Sequence, residues 1–289
     1  KQGAFCMKFL DETKIPDTPY PELRDVLDTF VDEITAKLGQ NLFGIYLVGS
    51  LASGDFDLDS DVDFLVVTQS DLTAANREAL QDIQRKIYYT GSYPARHLEG
   101  SYITLSDLND WHSVGQKELF YFDNGSTQPE LSTHDNNWHV RWILHERGIT
   151  LVGQRPAYIL PPIPRQELMD EMKKSMQTIL EYFQTQIDRP LCFGNSRFGQ
   201  SFTVLTCCRM LHTLHTGMVQ SKKASAKWAE EFVDPGWIPL IKQAWKEREG
   251  VRFGVKIGQR AELEHLDRTL EFIQYALTQS EYVSPGHPG

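Results

Sequence analysis

Apolar residues follow different spacings in the two halves of the chain. In the first half, helical spacing and short uninterrupted apolar runs alternate, which is typical of helices packed on buried strands. The predicted elements are an amphipathic helix over 21–38, strands over 42–48, 62–67 and 97–105, and a polar helix from about 72 to 88. This order predicts a domain that mixes helices with a small sheet.

The second half is predicted to be helical throughout. Three prolines between residues 158 and 164 indicate a linker or a hard turn. Predicted helices follow: one between Met169 and Phe183, one ending at Gly217, one starting near Ser221, one around Trp245 and one over about 260–279. We therefore expect two domains, residues 1–160 and residues 161–289.

The composition excludes several classes of protein. The 289 residues are 40% hydrophobic and 24% charged, as in an ordinary globular chain, and the formal net charge is −10. This charge argues against nucleic acid as the main partner and favours cationic small molecules. Four cysteines in a chain of this length indicate reduced thiols, and no apolar run reaches the length of a membrane span. We expect a soluble cytoplasmic protein with no membrane partner.

Candidate chemistry is concentrated in residues 44–67. Gly49 ends an apolar run and allows close approach of the backbone to a ligand, and Ser50 can donate its hydroxyl to a phosphate. Asp61 and Asp63 stand two residues apart at the entrance of a buried strand, so their carboxylates leave the same face. Such a pair suits Mg²⁺ carrying nucleotide phosphates, and it predicts in-line phosphoryl or nucleotidyl displacement.

Two other interpretations apply to this acidic segment. Aspartates at alternate positions from Asp55 to Asp63 could form a calcium loop, but its sixth position is Ser60 instead of glycine and its twelfth is Val66 instead of glutamate. A simple solvated turn does not explain why two carboxylates lead directly into a buried strand, where unpaired charge is costly. The magnesium–nucleotide interpretation is therefore preferred.

The same residues carry a family resemblance. Gly49-Ser50 followed by Ser60-Asp61-Val62-Asp63 resembles the signature of the DNA polymerase β-type nucleotidyltransferase superfamily. Segments 139–153 and 205–229 are similar to segments of the aminoglycoside (3'')(9) adenylyltransferases, and the resemblance spans roughly residues 42–245. It implies an α+β fold: an N-terminal polymerase β-like nucleotidyltransferase domain with a small mixed sheet, and a C-terminal helical bundle that closes the active-site cleft.

The resemblance also implies a set of site residues. It implies ATP as co-substrate and Mg²⁺, as two ions, as cofactor. A carboxylate that lies beside two others also has a reason to hold a raised pKa, as a catalytic base requires. The implied residues are Asp61 and Asp63 for the metal, Glu99 as catalytic base, and Gly49, Ser50, Ser60, Arg209 and Lys222 for the nucleotide.

The implied reaction is transfer of AMP to a hydroxyl of a small cationic acceptor, such as an aminoglycoside antibiotic, by a monomer or homodimer. The family carries a tryptophan that packs on the aminoglycoside where this chain reads Tyr121-Phe122-Asp123-Asn124. The acid expected before the second helix of the bundle has no counterpart in 194–199. The acceptor-binding residues are therefore unassigned. A protein or metabolite acceptor, or a nucleotide-binding regulatory module without turnover, are the alternatives.

Overall fold

The computed structural model describes residues 18–186, 189, 192–249 and 258–282. The chain divides into two compact units between Ile163 and Pro164, just after the boundary expected at residue 160. Cys6, one of the four cysteines predicted to be reduced thiols, lies outside the described residues.

The first unit contains both helices and strands, and the second contains helices. The elements of the first unit are α1 (Leu23–Leu38), β1 (Leu42–Leu47), α2 (Gly49–Ser53), β2 (Val62–Thr68), α3 (Ala74–Tyr88), α4 (Tyr93–Arg96), β3 (Leu98–Thr104), α5 (Leu105–Asn109), β4 (Leu119–Phe122), β5 (Pro129–Ser132), α6 (Trp138–Arg147), β6 (Ile149–Val152) and α7 (Pro156–Ile159). The second unit has α8 (Arg165–Gln186), α9 (Arg197–Thr216), α10 (Lys222–Phe232), α11 (Ile238–Arg248) and α12 (Leu263–Tyr282).

A mixed sheet of six strands forms the centre of the first unit, in the order β5-β4-β3-β2-β1-β6. Strands β2 and β3 are parallel, and the other neighbouring strands are antiparallel. A parallel pair needs a crossover connection, which α3 and α4 provide between β2 and β3.

The two faces of this sheet have different surroundings. Helices α1 and α3 cover one face, where their apolar side chains form a single core with alternate residues of the strands. Phe64 of β2 and Phe122 of β4 belong to this core. Because successive side chains of a strand point to opposite faces, Asp63, Glu99 and Tyr121 lie on the other face. The fold therefore places three polar groups of β2, β3 and β4 side by side.

Helix α9 is the centre of the second unit. It contacts α8, α10, α11 and α12, and most of its residues are buried, including the free thiols of Cys207 and Cys208. Ser221 caps α10 by accepting a hydrogen bond from the backbone nitrogen of Ala224, as expected for a helix that starts near this serine.

The predicted α+β fold, with a small mixed sheet followed by a helical region, is confirmed. The four-residue strands β4, β5 and β6 were not among the predicted elements, and they double the number of strands in the sheet. Within the part of the chain that the structure describes, no helix is both long enough and apolar enough to cross a membrane.

Candidate active site

The acidic segment before β2 is a structured turn. The hydroxyl of Ser60 donates to Asp57 Oδ1 at 2.7 Å and accepts a hydrogen bond from the backbone nitrogen of Asp57 at 3.0 Å. The Tyr20 hydroxyl donates to the carbonyl oxygen of Leu58 at 2.6 Å, which fastens the turn to the residues before α1. These bonds fix the direction in which Asp61 enters β2.

Gly49 lies directly against the carboxylate of Asp63. Its φ is +59°, in the left-handed region, and a Cβ atom added to it would stand 1.8 Å from Asp63 Oδ2. A glycine is required here for both conformation and space, and the buried hydroxyl of Ser50 beside it lacks a hydrogen-bond partner among the described residues.

Glu99 is the direct neighbour of Asp63 across the parallel pair β2–β3. Its Oε1 accepts a hydrogen bond from the Tyr121 hydroxyl at 2.6 Å and lies 3.4 Å from Nε2 of His134. Among the described residues, Oε2 has no partner. One oxygen of the carboxylate is therefore held by the protein, and the other is left to accept a proton.

The pKa of Glu99 is raised above its ordinary value, mainly because burial disfavours the charged form. The nearby carboxylates of Asp135 and Asp123 also raise this pKa, whereas the hydrogen bond from Tyr121 and the charge of His134 lower it. Burial likewise raises the pKa of Asp135, whose Oδ2 accepts a hydrogen bond from Ser101 at 2.7 Å. Such a raised pKa suits a carboxylate that acts as a general base near neutral pH.

Asp61 is held by residues beyond the ends of β4 and α4. Its Oδ1 accepts a hydrogen bond from Asn124 Nδ2 at 2.7 Å, and Asn124 Oδ1 lies 2.7 Å from Nδ1 of His97. The His97 ring stacks on Tyr93 with ring centroids 4.0 Å apart, and burial lowers the pKa of His97. The carboxylate of Asp61 thus belongs to a connected polar network at the same edge of the sheet as Asp63.

Two family profiles match the chain, one in each unit. A profile described as "Nucleotidyltransferase domain" matches residues 27–100, which include β1, β2 and most of the site described above. A profile described as "Aminoglycoside adenylyltransferase, C-terminal domain" matches residues 158–271. Both units of the chain are therefore similar to nucleotidyltransferases, and the second unit is similar to the aminoglycoside adenylyltransferases.

Individual proteins show the same similarity along most of their length. A spectinomycin 9-adenylyltransferase of Staphylococcus aureus is 29% identical over 255 residues, covering 84% of this chain and 89% of the relative. An aminoglycoside (3'')(9) adenylyltransferase of Escherichia coli is 25% identical, covering 84% and 93%. The crystal structure of the spectinomycin adenyltransferase AAD(9) from "Enterococcus faecialis" with ATP and spectinomycin superimposes with a TM-score of 0.67 at 19% identity, covering 88% of this chain and 99% of that one.

The structure brings together most of the predicted site residues of this adenylyltransferase-like chain. Asp63 and Glu99 are paired on adjacent strands, Gly49 adjoins Asp63 and is followed by Ser50, and Ser60 precedes Asp61. Ser60 is almost completely buried, and its proton is engaged with Asp57. Arg209 lies within α9 of the second unit, and Lys222 begins α10 there, with Nζ 4.2 Å from the ring centroid of Phe202.

The carboxylates of Asp61 and Asp63 at this edge of the sheet fit a Mg²⁺ ion. Among the described residues, no group of three or more histidine, cysteine, aspartate or glutamate side chains is arranged to hold a metal. The predicted metal ligands are the two carboxylates of Asp61 and Asp63, whereas Oε1 of Glu99 accepts the hydrogen bond from Tyr121. One or two carboxylates together with substrate phosphates is the usual way in which proteins bind Mg²⁺. Asp61 and Asp63 can supply them beside the unpartnered Ser50 hydroxyl.

Sequence reasoning missed four residues that contact the predicted acids. They are His97, Tyr121, Asn124 and His134. His97 stands two positions before Glu99, so a period of two along β3 could have found it. The other three lie on or after β4, and only the pairing of β3 with β4 brings them to Glu99 and Asp61.

Proposed function

We propose that this chain transfers AMP from ATP to a hydroxyl of an aminoglycoside-like cationic acceptor, with release of pyrophosphate. The observation that carries the proposal is the pairing of Asp63 with Glu99 across β2 and β3, beside Gly49 and Asp61. A metal-binding carboxylate and a general base on adjacent strands are what a nucleotidyl transfer to a hydroxyl requires. The similarity to spectinomycin and aminoglycoside adenylyltransferases supports the same reaction.

Each step of the proposed reaction has a residue at this edge of the sheet. Asp61 and Asp63 would hold Mg²⁺, two ions in our proposal, which offsets the negative charge of the nucleotide phosphates when bound. The hydroxyl of Ser50 donates to a phosphate oxygen. Glu99 Oε2 takes the proton of the acceptor hydroxyl, the acceptor oxygen forms a bond to the α-phosphorus, and the bond from that phosphorus to pyrophosphate breaks. The resemblance adds Ser60, Arg209 and Lys222 to the nucleotide site, and these three stay predictions.

The acceptor is the least constrained part of the proposal. Tyr121 and Phe122, which stand where the family has its acceptor-binding tryptophan, are only 3% and 0% exposed. Neither ring can offer a face to a ligand as an exposed tryptophan does. This burial favours an acceptor that differs from streptomycin or spectinomycin in how it is held, and it keeps a metabolite or protein acceptor as the second candidate.

Labelled ATP tests the proposal directly. Purified protein is incubated with ATP labelled at the α-phosphate, Mg²⁺ and a panel of aminoglycosides, aminocyclitols and cell-extract fractions. We expect label on one acceptor and one pyrophosphate released for each AMP transferred. Asp63→Asn should abolish transfer, whereas Asp71→Asn, at a position whose side chain is 83% exposed, should leave it unchanged.

The possible outcomes separate the candidates. Label on a small cationic product supports the proposed acceptor class, and label on a protein or an uncharged metabolite identifies the second candidate. Binding of ATP without any transfer indicates the regulatory module. No binding of ATP by calorimetry contradicts all three.

A further inference from the structure

The segment Leu119–Asn124, which we call the β4 segment, reaches both halves of the candidate active site. The pattern of its side chains decides this. Phe120 and Phe122 belong to the core beneath α1 and α3, so Tyr121 between them points to the opposite face, where Glu99 lies. Asn124 follows the end of the strand and reaches Asp61. The β4 segment therefore contacts both Glu99, the predicted base, and Asp61, a predicted metal ligand.

The contact with the base is specific to one oxygen atom. The Tyr121 hydroxyl lies 2.6 Å from Glu99 Oε1 and 3.0 Å from Asp123 Oδ1. A phenol has one proton, and the shorter contact assigns it to Glu99. The ring of Tyr121 stacks on His134 with centroids 5.1 Å apart, which fixes the ring plane. Glu99 is thereby held through Oε1, and Oε2 is left for the acceptor proton.

The contact with the metal ligand is fixed from both ends of the Asn124 amide. An ionised carboxylate only accepts hydrogen bonds, so the amide nitrogen must face Asp61 Oδ1. The amide oxygen then faces Nδ1 of His97 at 2.7 Å and receives its proton. His97 is itself clamped by the stacked ring of Tyr93. The amide cannot turn without losing one of the two bonds.

We propose that Tyr121 and Asn124 are positioning residues with separate tasks: Tyr121 orients Glu99 for proton transfer, and Asn124 orients Asp61 for binding of the magnesium nucleotide. The proposal rests on the proposed function, because it assigns tasks within that reaction. It also gives the β4 segment, whose Tyr121 and Phe122 rings are too buried to contact an acceptor, a role in holding the two acids.

The two tasks predict different effects on kcat and on nucleotide affinity. A misplaced base slows the chemical step after substrates have bound, so it lowers kcat and leaves the affinity for the nucleotide unchanged. A misplaced metal ligand weakens binding of ATP with Mg²⁺ and leaves the binding of free ATP unchanged, because only the complex meets Asp61 through the metal.

Tyr121→Phe tests the first task with the loss of a single oxygen atom. We expect kcat to fall about 10- to 100-fold, as for small misplacements of reacting groups, while the Kd of the magnesium nucleotide stays within about twofold. Tyr46→Phe is the matched control, because the Tyr46 hydroxyl is also in the sheet and donates one hydrogen bond, to the Gln154 carbonyl at 2.9 Å. This control should leave both quantities unchanged.

Asn124→Leu tests the second task. Calorimetry should show the Kd of ATP with Mg²⁺ raised about 10- to 100-fold, the range found for residues that orient metal ligands, and the Kd of ATP in EDTA unchanged. Asn124→Ala removes the same donor without apolar bulk and should give the same shift. Asn109→Leu is the control, since among the described residues the exposed Asn109 amide bonds only to the Leu105 carbonyl of its own helix. It should bind both forms as the unchanged protein does.

The outcomes distinguish this proposal from the proposed function. If the wild-type protein binds no magnesium nucleotide, the proposed function itself is wrong. The roles assigned to Tyr121 and Asn124 are then wrong as well. Unchanged protein that is active, with Tyr121→Phe and Asn124→Leu indistinguishable from their controls, overturns the assignment alone. The assignment is equally overturned if both variants lose kcat and affinity together in proportion to a lowered Tm, because that result indicates a purely structural role.

Discussion

At the scale of single residues, position 49 of the candidate active site requires a glycine, both for its backbone conformation and for the space beside it. Its backbone is in the left-handed region, and the space for a side chain is filled by the Asp63 carboxylate. We expect Gly49→Ala to lose about 1–2 kcal/mol of stability through backbone strain. It should also lose adenylyl transfer by about 100-fold, because Asp63 must move. Urea unfolding and the labelled-ATP assay measure the two effects.

Gly54 is the matched control for this prediction. Its φ is +75°, and a Cβ atom there would meet nothing within 4 Å. Gly54→Ala therefore introduces the same backbone strain as Gly49→Ala without a steric clash. It should lose a similar amount of stability and keep most of its activity. Equal losses of activity in the two variants would contradict a role for the contact between Gly49 and Asp63.

The buried carboxylate of Glu99 is expected to lower the stability of the folded protein at high pH, although the proposed reaction needs it. Because burial raises its pKa in the folded state, the folded state binds this proton more tightly than the unfolded state does. The charged carboxylate therefore costs stability above the raised pKa, and the cost disappears as the pH falls below the ordinary value of 4.5. We expect Glu99→Gln to be more stable than the unchanged protein at pH 8, with a gain that shrinks towards pH 4.5.

Urea unfolding midpoints measured between pH 4.5 and pH 8 test whether Glu99→Gln is stabilising and whether the gain shrinks as the pH falls. Glu130→Gln, at an exposed position of β5, is the control and should show no such trend. The groups that face Glu99 are Tyr121, Asp123, His134 and Asp135, and each is left in place by the substitution. Glu99→Gln should also lose transfer by about 100- to 10,000-fold, the usual contribution of a general base. A variant that is both less stable at pH 8 and fully active would refute this account of Glu99.

Sequence patterns could predict the site residues that stand next to a recognisable element in the chain. Asp61 and Asp63 lead into an apolar run, and Glu99 opens the next predicted strand. Their mutual pairing needed the parallel register of β2 and β3. Tyr121 and Asn124 could not be predicted as partners of these acids, because the hydrogen bonds cross between strands that are distant in sequence.

At the scale of elements, one buried cation helps to hold α6 in its unit, beside the apolar residues of the same helix. The guanidinium of Arg141 donates to the carbonyl oxygens of Leu108 and Asp107 and to Asn136 Oδ1, at 3.2, 3.0 and 2.8 Å, and the residue is 1% exposed. Arg141→Met removes all three of these hydrogen bonds, and among the described residues only the Asp107 carbonyl keeps other donors, the backbone nitrogen of Asp110 and the hydroxyl of Ser113, so we expect a loss of about 3 kcal/mol in urea unfolding.

Arg147→Met provides the comparison on the same helix. Arg147 is only partly buried, at the last turn of α6, and its guanidinium lies 5.4 Å from the ring centroid of Trp142. Losing such a contact costs about 1 kcal/mol or less. If the two variants are equally destabilised, the three hydrogen bonds of Arg141 do not anchor the helix.

The elements that periodicity predicted are the long ones. α1, α3 and the helices of the second unit each repeat the helical spacing over at least eleven residues, and β1 and β2 are mostly apolar runs. Strands β4, β5 and β6 have only four residues each. Such short segments carry too few positions for an alternation to be recognised, and their pairing depends on the strands already in the sheet.

At the scale of the whole molecule, the net charge of −10 predicts how the reaction responds to salt. An acidic protein attracts a cationic acceptor over several ångströms, and salt screens this attraction. Raising KCl from about 0.05 to about 0.5 M should lower kcat/KM for a strongly cationic acceptor by about 10-fold. A weakly cationic acceptor and the anionic nucleotide should be much less affected, or affected in the opposite sense. Steady-state kinetics with each substrate varied in turn checks this.

The β4 segment has a consequence for how such chains can diverge. Its phenylalanines and its tyrosine alternate between the hydrophobic interior and the acidic edge of the sheet. Inserting or deleting one residue within it would exchange the two sets, turning an aromatic hydrocarbon towards the carboxylates and a phenol into the core. Changes of length are therefore expected only in the flanking loops, where new acceptor preferences can evolve without disturbing the chemistry.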